Sequence, residues 1–271
     1  MDLNPTLELK LEPEPGHSSS SRLSSSVRLG KSKILFTNKK MKKELLVLGA
    51  NGALGKGAVS VFLKKNYDKI YLFGSSLDDI ENAKAEKIIT GDLSNEENVI
   101  RAFTSVTPAK DKLLFLFSAA GGFAGGKFVW ETSLEEWNKM MDLNLNLSFL
   151  VAKHFAKLVK ESAGGAICFT AAYTGLHPES KKSAYGVSKS GLIHLVKSLA
   201  MEGHEINLAI NAIAPYIIDT KANREWMQNA KYDSWIKPEE IAELADNLFG
   251  NFNFVSGNIL ELKSRFEIPG V

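Results

Sequence analysis

The chain has 271 residues, of which 44% are hydrophobic and 24% are charged, and its formal net charge is +2. This length allows one α/β domain with a complete hydrophobic core. A charge so close to zero gives no electrostatic reason to expect nucleic acid or an anionic membrane as a partner. No apolar run approaches the roughly 20 residues that span a bilayer, so we expect a soluble, cytoplasmic protein.

The cysteine and histidine content argues against two further kinds of site. Cys168 is the only cysteine of this sequence, so no intrachain disulfide can form, and the apolar run around it predicts a buried thiol. The five histidines are scattered without the spacing of metal ligands, and we therefore expect no metal.

Residues 1–40 differ in composition from the rest of the chain. They contain three of the eight prolines and two serine runs, and they show neither helical nor strand periodicity. Such a segment buries too little apolar surface to offset the entropy of ordering it. Acidic residues within it argue against an organelle presequence. We predict that residues 1–40 are a disordered tail, or that the start of the protein has been assigned too far upstream. A single domain is predicted over 41–271.

From Met41 onward, short apolar runs alternate with helical patterns. The predicted strands are 44–49, 69–74, 87–91, 112–118, 165–170, 207–215 and 257–262, and the predicted helices are 52–66, 94–105, 133–161, 183–203 and 237–250. Several strands are continuously apolar, as strands covered on both faces should be. This alternation predicts a doubly wound Rossmann domain, in which a parallel sheet of about seven strands carries helices on both faces.

A glycine-rich turn follows the first predicted strand. Gly49, Gly52 and Gly55 have G-x-x-G-x-x-G spacing and open a helix, with Asn51, Ala53 and Leu54 between them. Glycine lets backbone N–H groups approach a pyrophosphate, which then lies at the positive end of the helix. Any tight strand-to-helix turn favours glycine, but the position in the first βαβ unit favours dinucleotide binding.

The end of the second strand bears on the choice of cofactor. Ser75 and Ser76 stand where an acid would hold the adenosine ribose of NADH. Asp78 and Asp79 come later and are predicted to begin a helix, with Ser76 and Asp79 as a capping pair. With no carboxylate and no lysine or arginine evident there, NADPH or NADH is expected, with NADPH favoured. After the third strand, Asp92 either caps the next helix or contacts the adenine ring.

Tyr185 and Lys189 lie one turn apart on the predicted helix 183–203. A free tyrosine titrates near pH ~10, and a neighbouring ammonium group stabilises its phenolate and lowers that pKa. Y-x-x-x-K also occurs by chance, but its position behind a glycine turn and after the fifth strand favours a proton-transfer pair.

The segments "GANGALG", "GDL", "SAAGG", "DLNLN", "YGVSK" and "APYIIDT" together resemble the short-chain dehydrogenase/reductase family over nearly all of 41–271. The resemblance implies that Tyr185 exchanges a proton with the substrate, that Lys189 tunes it and binds ribose, and that Asn144 supports a water relay. It also implies cofactor contacts beyond the glycine turn at Asp92, Leu93, Ala119, Ala120, Gly121, Lys189, Pro215, Ile218 and Thr220.

The family's serine, about 13 residues before the tyrosine, is replaced here by Ala172. Thr170 and Thr174 are the nearest hydroxyl residues. Dihydropteridine reductases also carry alanine at the position of Ala172. They are further similar to this chain in "GALG" and in the segments 120–126, 219–224, 234–240 and 256–262. They typically carry tryptophan where Phe123 stands. Asn144 is more typical of the wider family, and the acid that suits NADH in dihydropteridine reductases is absent from strand two.

The narrower resemblance implies that quinonoid dihydropterin is reduced to a tetrahydropterin such as tetrahydrobiopterin. The substrate pocket it implies is formed by Phe123, Ala172, Tyr173, Tyr185 and Tyr216. A ketone needs a second donor to its oxygen as negative charge develops, whereas a quinonoid dihydropterin is already electron-poor. Two alternatives remain: a short-chain reductase of another substrate, such as a carbonyl compound, and a non-catalytic NAD(P)-binding regulator.

Two further expectations concern assembly and substrate access. The two long helices have more apolar positions than one sheet face needs, and family resemblance implies a homodimer through them. The residues on which this rests are Trp137, Met140, Met141, Leu147, Phe155, Leu192, Val196 and Leu199. Segment 219–237, with Trp226, Met227 and Trp235, is expected to cover the substrate, although its aromatic residues would suit a core equally well.

Overall fold

A computed structural model describes residues 40–266, which form a seven-stranded parallel sheet. Its strand order is β3-β2-β1-β4-β5-β6-β7, as expected for a doubly wound fold. The strands are β1 (Lys42–Leu48), β2 (Lys69–Gly74), β3 (Ala85–Ile89), β4 (Lys112–Ser118), β5 (Gly164–Thr170), β6 (Leu208–Pro215) and β7 (Ile259–Leu262). The prediction for residues 1–39, and the last five residues of the predicted domain, lie outside the described range.

Eight α-helices connect these strands in the described part of the chain. They are α1 (Ala53–Phe62), α2 (Glu96–Phe103), α3 (Leu134–Met141), α4 (Leu147–Lys160), α5 (Tyr173–Leu176), α6 (Ser183–Glu202), α7 (Lys221–Trp226) and α8 (Pro238–Gly250). Short 3₁₀ segments lie at Val129–Glu131, Gly203–Ile206 and Tyr232–Ser234. No helix among residues 40–266 is both long and apolar enough to cross a membrane.

The continuous apolar runs of the strands are explained by the two hydrophobic layers they enter. Leu45 and Val47 point into one layer, and Leu46 and Leu48 into the other, because successive strand residues face opposite sides. Helices α1 and α8 cover the first layer, and α2, α4 and α6 cover the second. Cys168 is buried in the first layer, where burial raises the pKa of its thiol, as its apolar surroundings predict.

The predicted single helix over 133–161 is interrupted. Ser133 and Glu136 form the expected capping box, in which the Glu136 backbone N–H donates to Ser133 Oγ over 3.1 Å. After α3, residues Asp142–Asn146 form a π-helical turn before α4 begins. Such a turn holds one residue more than an α-helical turn and is common at functional sites. It includes Asn144, which is buried.

No helix begins near Asp78, so the predicted capping pair of Ser76 and Asp79 is wrong. Residues 77–84 are irregular, and the carboxylates of Asp78 and Asp79 form ion pairs instead. Asp78 lies 2.8 Å from Lys56, and Asp79 lies 2.6 Å from Lys87. Ion pairing across the surface thus replaces the local capping that the sequence pattern predicted.

Most of the apolar helix residues that suggested a dimer are used within this chain. Met140, Leu147, Phe155, Leu192 and Val196 are buried in the chain's own core. Trp137, Met141 and Leu199 are only partly buried, so the apolar surplus on these helices is smaller than the sequence indicated. The homodimer stays a prediction.

Candidate active site

A cleft of about 540 Å³ opens at the carboxyl ends of β4, β5 and β6, beside the start of α1. Loops after parallel strands meet at this edge, and the strand order reverses between β1 and β4, where ligands bind in such sheets. Its lining includes most of the predicted cofactor and substrate residues, namely Ala53, Leu54, Ala119, Ala120, Gly121, Phe123, Ala172, Tyr185, Lys189, Pro215, Tyr216, Ile218 and Thr220.

The glycine turn has the tight geometry expected of a dinucleotide cradle. Gly49 has a φ of +71°, and a Cβ atom on it would lie 2.9 Å from the backbone nitrogen of Ala120. A Cβ atom on Gly55 would lie 2.0 Å from the carbonyl oxygen of Gly49. Gly52 caps α1 without a side chain, so the first N–H groups of the helix remain available to an anion. These residues fit the pyrophosphate of a nicotinamide dinucleotide.

The structure brings a carboxylate and an ammonium group to the end of β2, where the sequence analysis expected neither. Asn51 of the glycine turn lies 3.0 Å from the Ser76 hydroxyl. With its amide nitrogen turned toward Asp78, it also donates to that carboxylate over 3.1 Å. Asp78 in turn pairs with Lys56 on α1. The expectation of an uncharged end of β2 is therefore wrong. The negative charge comes from Asp78, two residues after Ser76, and the positive charge comes from Lys56 on α1.

Asp92 does not cap the helix that follows it. Its carboxylate accepts a hydrogen bond from the Ser94 backbone over 2.9 Å, which closes a local turn. Asn95 caps α2 instead by accepting from the Glu97 backbone over 2.9 Å. Leu93 beside it is buried in the core. The predicted adenine contacts of Asp92 and Leu93 stay predictions.

Tyr185 and Lys189 lie one turn apart on α6, and both line the cleft. The Lys189 side chain is buried, with 4% of the residue exposed, and its Nζ atom donates to the Thr170 carbonyl over 2.7 Å. That Nζ atom lies 6.0 Å from the centroid of the Tyr185 ring. No group in the described part of the chain hydrogen-bonds the Tyr185 hydroxyl. The hydroxyl is therefore available to a substrate.

The two side chains have shifted pKa values. Burial lowers the pKa of Lys189 to about 8. Burial, and then the negative charge of Glu179, raise the pKa of Tyr185 to about 12. The expected lowering of the Tyr185 pKa is therefore not found in this protein, because the cost of burying a phenolate exceeds the attraction of an ammonium group 6.0 Å from the ring. Tyr185 is protonated throughout the physiological range, which is the state that a proton donor requires.

Asn144 holds the loop after β4. Its Oδ1 accepts from the Gly122 backbone N–H over 3.1 Å, and its Nδ2 donates to the Gly122 carbonyl over 3.0 Å. Nδ2 also lies 3.1 Å from the Met140 carbonyl and 3.2 Å from Ser188 Oγ. The amide is thus committed to protein partners behind the cleft, which it does not line. Its role in a water relay stays a prediction.

Within residues 40–266, neither threonine that the sequence offered replaces the family's serine. Ala172, at the start of α5, presents only a methyl group to the cleft. The Thr170 hydroxyl donates to the Ser118 carbonyl over 2.8 Å, and the Thr174 hydroxyl donates to the carboxylate of Glu179. Both threonines that the sequence offered as substitutes line the cleft, but each donates its hydroxyl proton to another protein group.

Aromatic rings form one wall of the cleft. The Phe123 ring lies 5.0 Å from Tyr185 in an edge-on arrangement and 5.8 Å from Trp226. The expected cover of 219–237 is found in part, because Trp226 and Met227 line the cleft whereas Trp235 is buried in the core. Tyr173 is not in the lining, since its ring stacks on His177 and packs against Tyr216. Tyr216 itself lines the cleft.

Sequence reasoning missed Glu179, Lys182 and Asn223, which also line the cleft. Glu179 and Lys182 lie in the stretch between α5 and α6, three and six residues after the end of α5, and shortly before Tyr185. A charged pair at i and i+3 was the available signal, but such pairs are usually solvated. Only the fold shows that this one lies at the cleft.

Known proteins support a family assignment. The family model for short chain dehydrogenases matches residues 43–231. The chain is 33% identical over 205 residues to dihydropteridine reductase from Dictyostelium discoideum. The aligned region covers 75% of this chain and 86% of that protein. Two solved structures, ElxO with NADP bound (22% identity) and 4-hydroxyisoleucine dehydrogenase complexed with NADH (25% identity), each have a TM-score of 0.69 and cover 82% of this chain and 97% of theirs.

The chain belongs to the short-chain dehydrogenase/reductase family. It is an NAD(P)H-dependent oxidoreductase with a Rossmann-type fold, and its sequence is similar to that of a dihydropteridine reductase. Both conclusions confirm what the sequence motifs indicated. They favour the two enzyme hypotheses over the non-catalytic NAD(P)-binding regulator.

Proposed function

We propose that this protein reduces a quinonoid dihydropterin to the tetrahydropterin, with Tyr185 as the proton donor. The observation that carries the proposal is a methyl group at Ala172, with the hydroxyls of Thr170 and Thr174 donating to other protein groups, beside an intact Tyr185–Lys189 pair. A ketone gathers negative charge on one oxygen and needs a second donor there. A quinonoid dihydropterin spreads that charge over a conjugated ring. The similarity to dihydropteridine reductase supports the same substrate class.

The chain's own residues would divide the work as follows. The reduced nicotinamide cofactor, when bound, supplies a hydride. Gly49, Gly52, Gly55 and the loop after β4 hold this cofactor. Tyr185 keeps a proton at its hydroxyl and gives it to the substrate. Lys189 stabilises the phenolate that remains.

The aromatic wall would orient the substrate. Phe123, Trp226 and Tyr216 present ring surfaces and edges to the cleft, which suit a flat heterocycle. Such contacts are largely non-directional, so they select shape and leave the choice of ring substituents to polar groups.

A carbonyl compound is the second candidate substrate. The family's Tyr185, Lys189 and Asn144 are all present, and this set acts on carbonyl substrates in the wider family that the sequence resembles. What this set lacks here is only the second oxygen donor. The two candidates therefore differ in the acceptor that receives the hydride.

The test is oxidation of NADH and NADPH by the purified protein, with quinonoid dihydropterin generated in situ and with simple ketones as the other acceptors. We expect turnover of the dihydropterin, little turnover of ketones, and at least a 100-fold lower rate for Tyr185→Phe. Ketone turnover without dihydropterin turnover would favour the second candidate. Comparison of the two cofactors also tests the preference for NADPH. A cytoplasmic location and a homodimer remain part of the proposal.

A further inference from the structure

Glu179 is a carboxylate that lines the cleft beside the proton donor. It belongs to the segment between α5 and α6, and it lines the same cleft as Tyr185 and Phe123. About a quarter of its side chain is exposed. The family pattern quoted from the sequence assigns no role to this position, and the proton transfer described above does not use it.

Two neighbours fix one oxygen of this carboxylate. The Thr174 hydroxyl and the Lys182 ammonium group, the latter over 2.9 Å, both donate to Oε2. Burial raises the pKa of Glu179, but these two hydrogen bonds and the charge of Lys182 outweigh it and hold the pKa below its ordinary value. The group is therefore ionised and held in one orientation at neutral pH.

The other oxygen has no partner in the described part of the chain. A carboxylate offers about four acceptor positions, of which two on Oε2 are occupied. Oε1 keeps both of its acceptor positions. A glutamate that only stabilised this loop would use Oε2 alone, through its hydrogen bonds to Thr174 and Lys182.

The surroundings of Oε1 define what it would bind. Lys182, which holds Oε2, also lies 6.0 Å from the centroid of the Phe123 ring. Glu179 is close enough to Tyr185 to raise its pKa. An acceptor thus lies beside the aromatic wall and the proton donor. A flat ring packed on that wall would present its edge to a carboxylate, and N–H groups on such an edge would form charge-assisted hydrogen bonds.

We propose that Glu179 is a specificity-determining residue whose Oε1 accepts hydrogen bonds from N–H donors on the edge of a flat heterocyclic substrate. In a pterin, these donors are the 2-amino group and the adjacent ring N–H. The inference rests on the proposed function and deepens it, because it selects aminated heterocycles over flat acceptors that lack such donors.

The test compares Glu179→Gln with the wild type on two substrates, a quinonoid dihydropterin and its 2-dimethylamino analogue. A hydrogen bond to a charged group contributes about 1.5–3 kcal/mol, which corresponds to roughly a 10- to 150-fold change in affinity. We expect the variant to raise KM for the dihydropterin about 10-fold or more. The KM for the nicotinamide cofactor should stay within about 2-fold.

The analogue separates substrate recognition from damage to the site. The wild type should prefer the 2-amino compound, and Glu179→Gln should lose most of that preference. Glu179→Asp, which keeps the charge but withdraws it by one methylene, should also raise KM. Glu97→Gln, on α2 outside the cleft, is the matched control and should leave all constants unchanged.

The possible failures are distinguishable. Wild-type turnover of the dihydropterin with unchanged KM and unchanged preference in Glu179→Gln would overturn the inference and leave the proposed function standing. Absence of dihydropterin turnover by the wild type would overturn the proposed function, and the inference with it. A variant whose cofactor KM or melting temperature changes would be replaced in the comparison by Glu179→Asp.

Discussion

Lys189 shows how the position of one side chain sets its pKa. Its ammonium group is buried, donates to the Thr170 carbonyl and lies beside the Tyr185 ring. Burial disfavours the charged form, which lowers the pKa of this lysine to about 8. The spacing in the sequence correctly predicted that Tyr185 and Lys189 lie one turn apart on one helix, but it could not predict which of the two pKa values would be lowered.

The first prediction at this scale is a pH dependence. As pH rises through about 8, Lys189 loses its proton, and the phenolate that Tyr185 leaves behind loses its stabilising charge. The reductase rate should therefore decline above about pH 8 with the slope of a single ionisation. Measurement of kcat/KM from pH 6 to 10 checks this, and Lys189→Met should give a low rate without that decline. A decline of the same shape in Lys189→Met would assign it to another group.

A second prediction concerns Ala172. Replacement by serine should place a hydroxyl donor where the family carries one, close to Tyr185 in the cleft. Because one such donor contributes 10²–10³-fold to stabilising an oxyanion, Ala172→Ser should raise ketone reduction about 10-fold or more. Dihydropterin reduction should change by less than about 3-fold. Parallel assays with both acceptors check this, and Ala172→Gly is the control for altered packing.

At the scale of elements, periodicity predicted the strands and helices but not their interruptions. All seven predicted strands are present, and the central ones are continuously apolar because a strand covered on both faces needs no alternation. Strand β3 (Ala85–Ile89) begins and ends two residues earlier than the predicted 87–91. The π-helical turn at Asp142–Asn146 leaves the apolar pattern on either side intact, so it was not visible. Nor was the irregular 77–84 segment visible, in which Asp78 and Asp79 pair with Lys56 and Lys87.

The loop after β2 supports a prediction about cofactor choice. Lys56 and Asp78 pair there, beside Asn51 of the glycine turn. A carboxylate at this place favours a free ribose, whereas an ammonium group favours a 2′-phosphate. Asp78→Ala should leave Lys56 unpaired and shift the ratio of kcat/KM values toward NADPH by about 5-fold or more.

The shift in cofactor preference of Asp78→Ala is measured by steady-state kinetics with NADH and NADPH and one fixed acceptor. Lys56→Ala should move the ratio in the opposite direction. Asp79→Ala, which removes the neighbouring carboxylate paired with Lys87, is the matched control. An unchanged ratio in both Asp78→Ala and Lys56→Ala would mean that the pair does not contact the cofactor.

At the scale of the whole molecule, the parallel sheet collects the functional residues. Strands β1, β4, β5 and β6 all end at one edge, so turns far apart in sequence surround one cleft. The same sheet takes up much of the apolar surface of α4 and α6, which is why Leu147, Phe155, Leu192 and Val196, among the residues first offered for a dimer contact, are buried. Phe149 on α4 and Val187 on α6 are instead about half exposed.

We expect two copies to associate through these helix faces, as the family resemblance implies. Light scattering should give twice the mass of one chain, and Phe149→Asp should lower it to that of a monomer, because a charge buried in an apolar interface is costly. Phe254→Asp changes an exposed aromatic residue near β7 and should leave the mass unchanged. A monomeric mass for the wild type would contradict the prediction.

The sequence by itself determined the class of fold, the glycine cradle and the Tyr185–Lys189 pair, because each depends on particular residue types at short, fixed spacing along the chain. Tertiary structure alone decided that Thr170 and Thr174 are occupied, that Lys56 meets Asp78, and that Glu179 lines the cleft. These contacts depend on how separate loops approach one another at the sheet edge. Local spacing carries no information on that approach, since the packing of both helical layers on the sheet sets it.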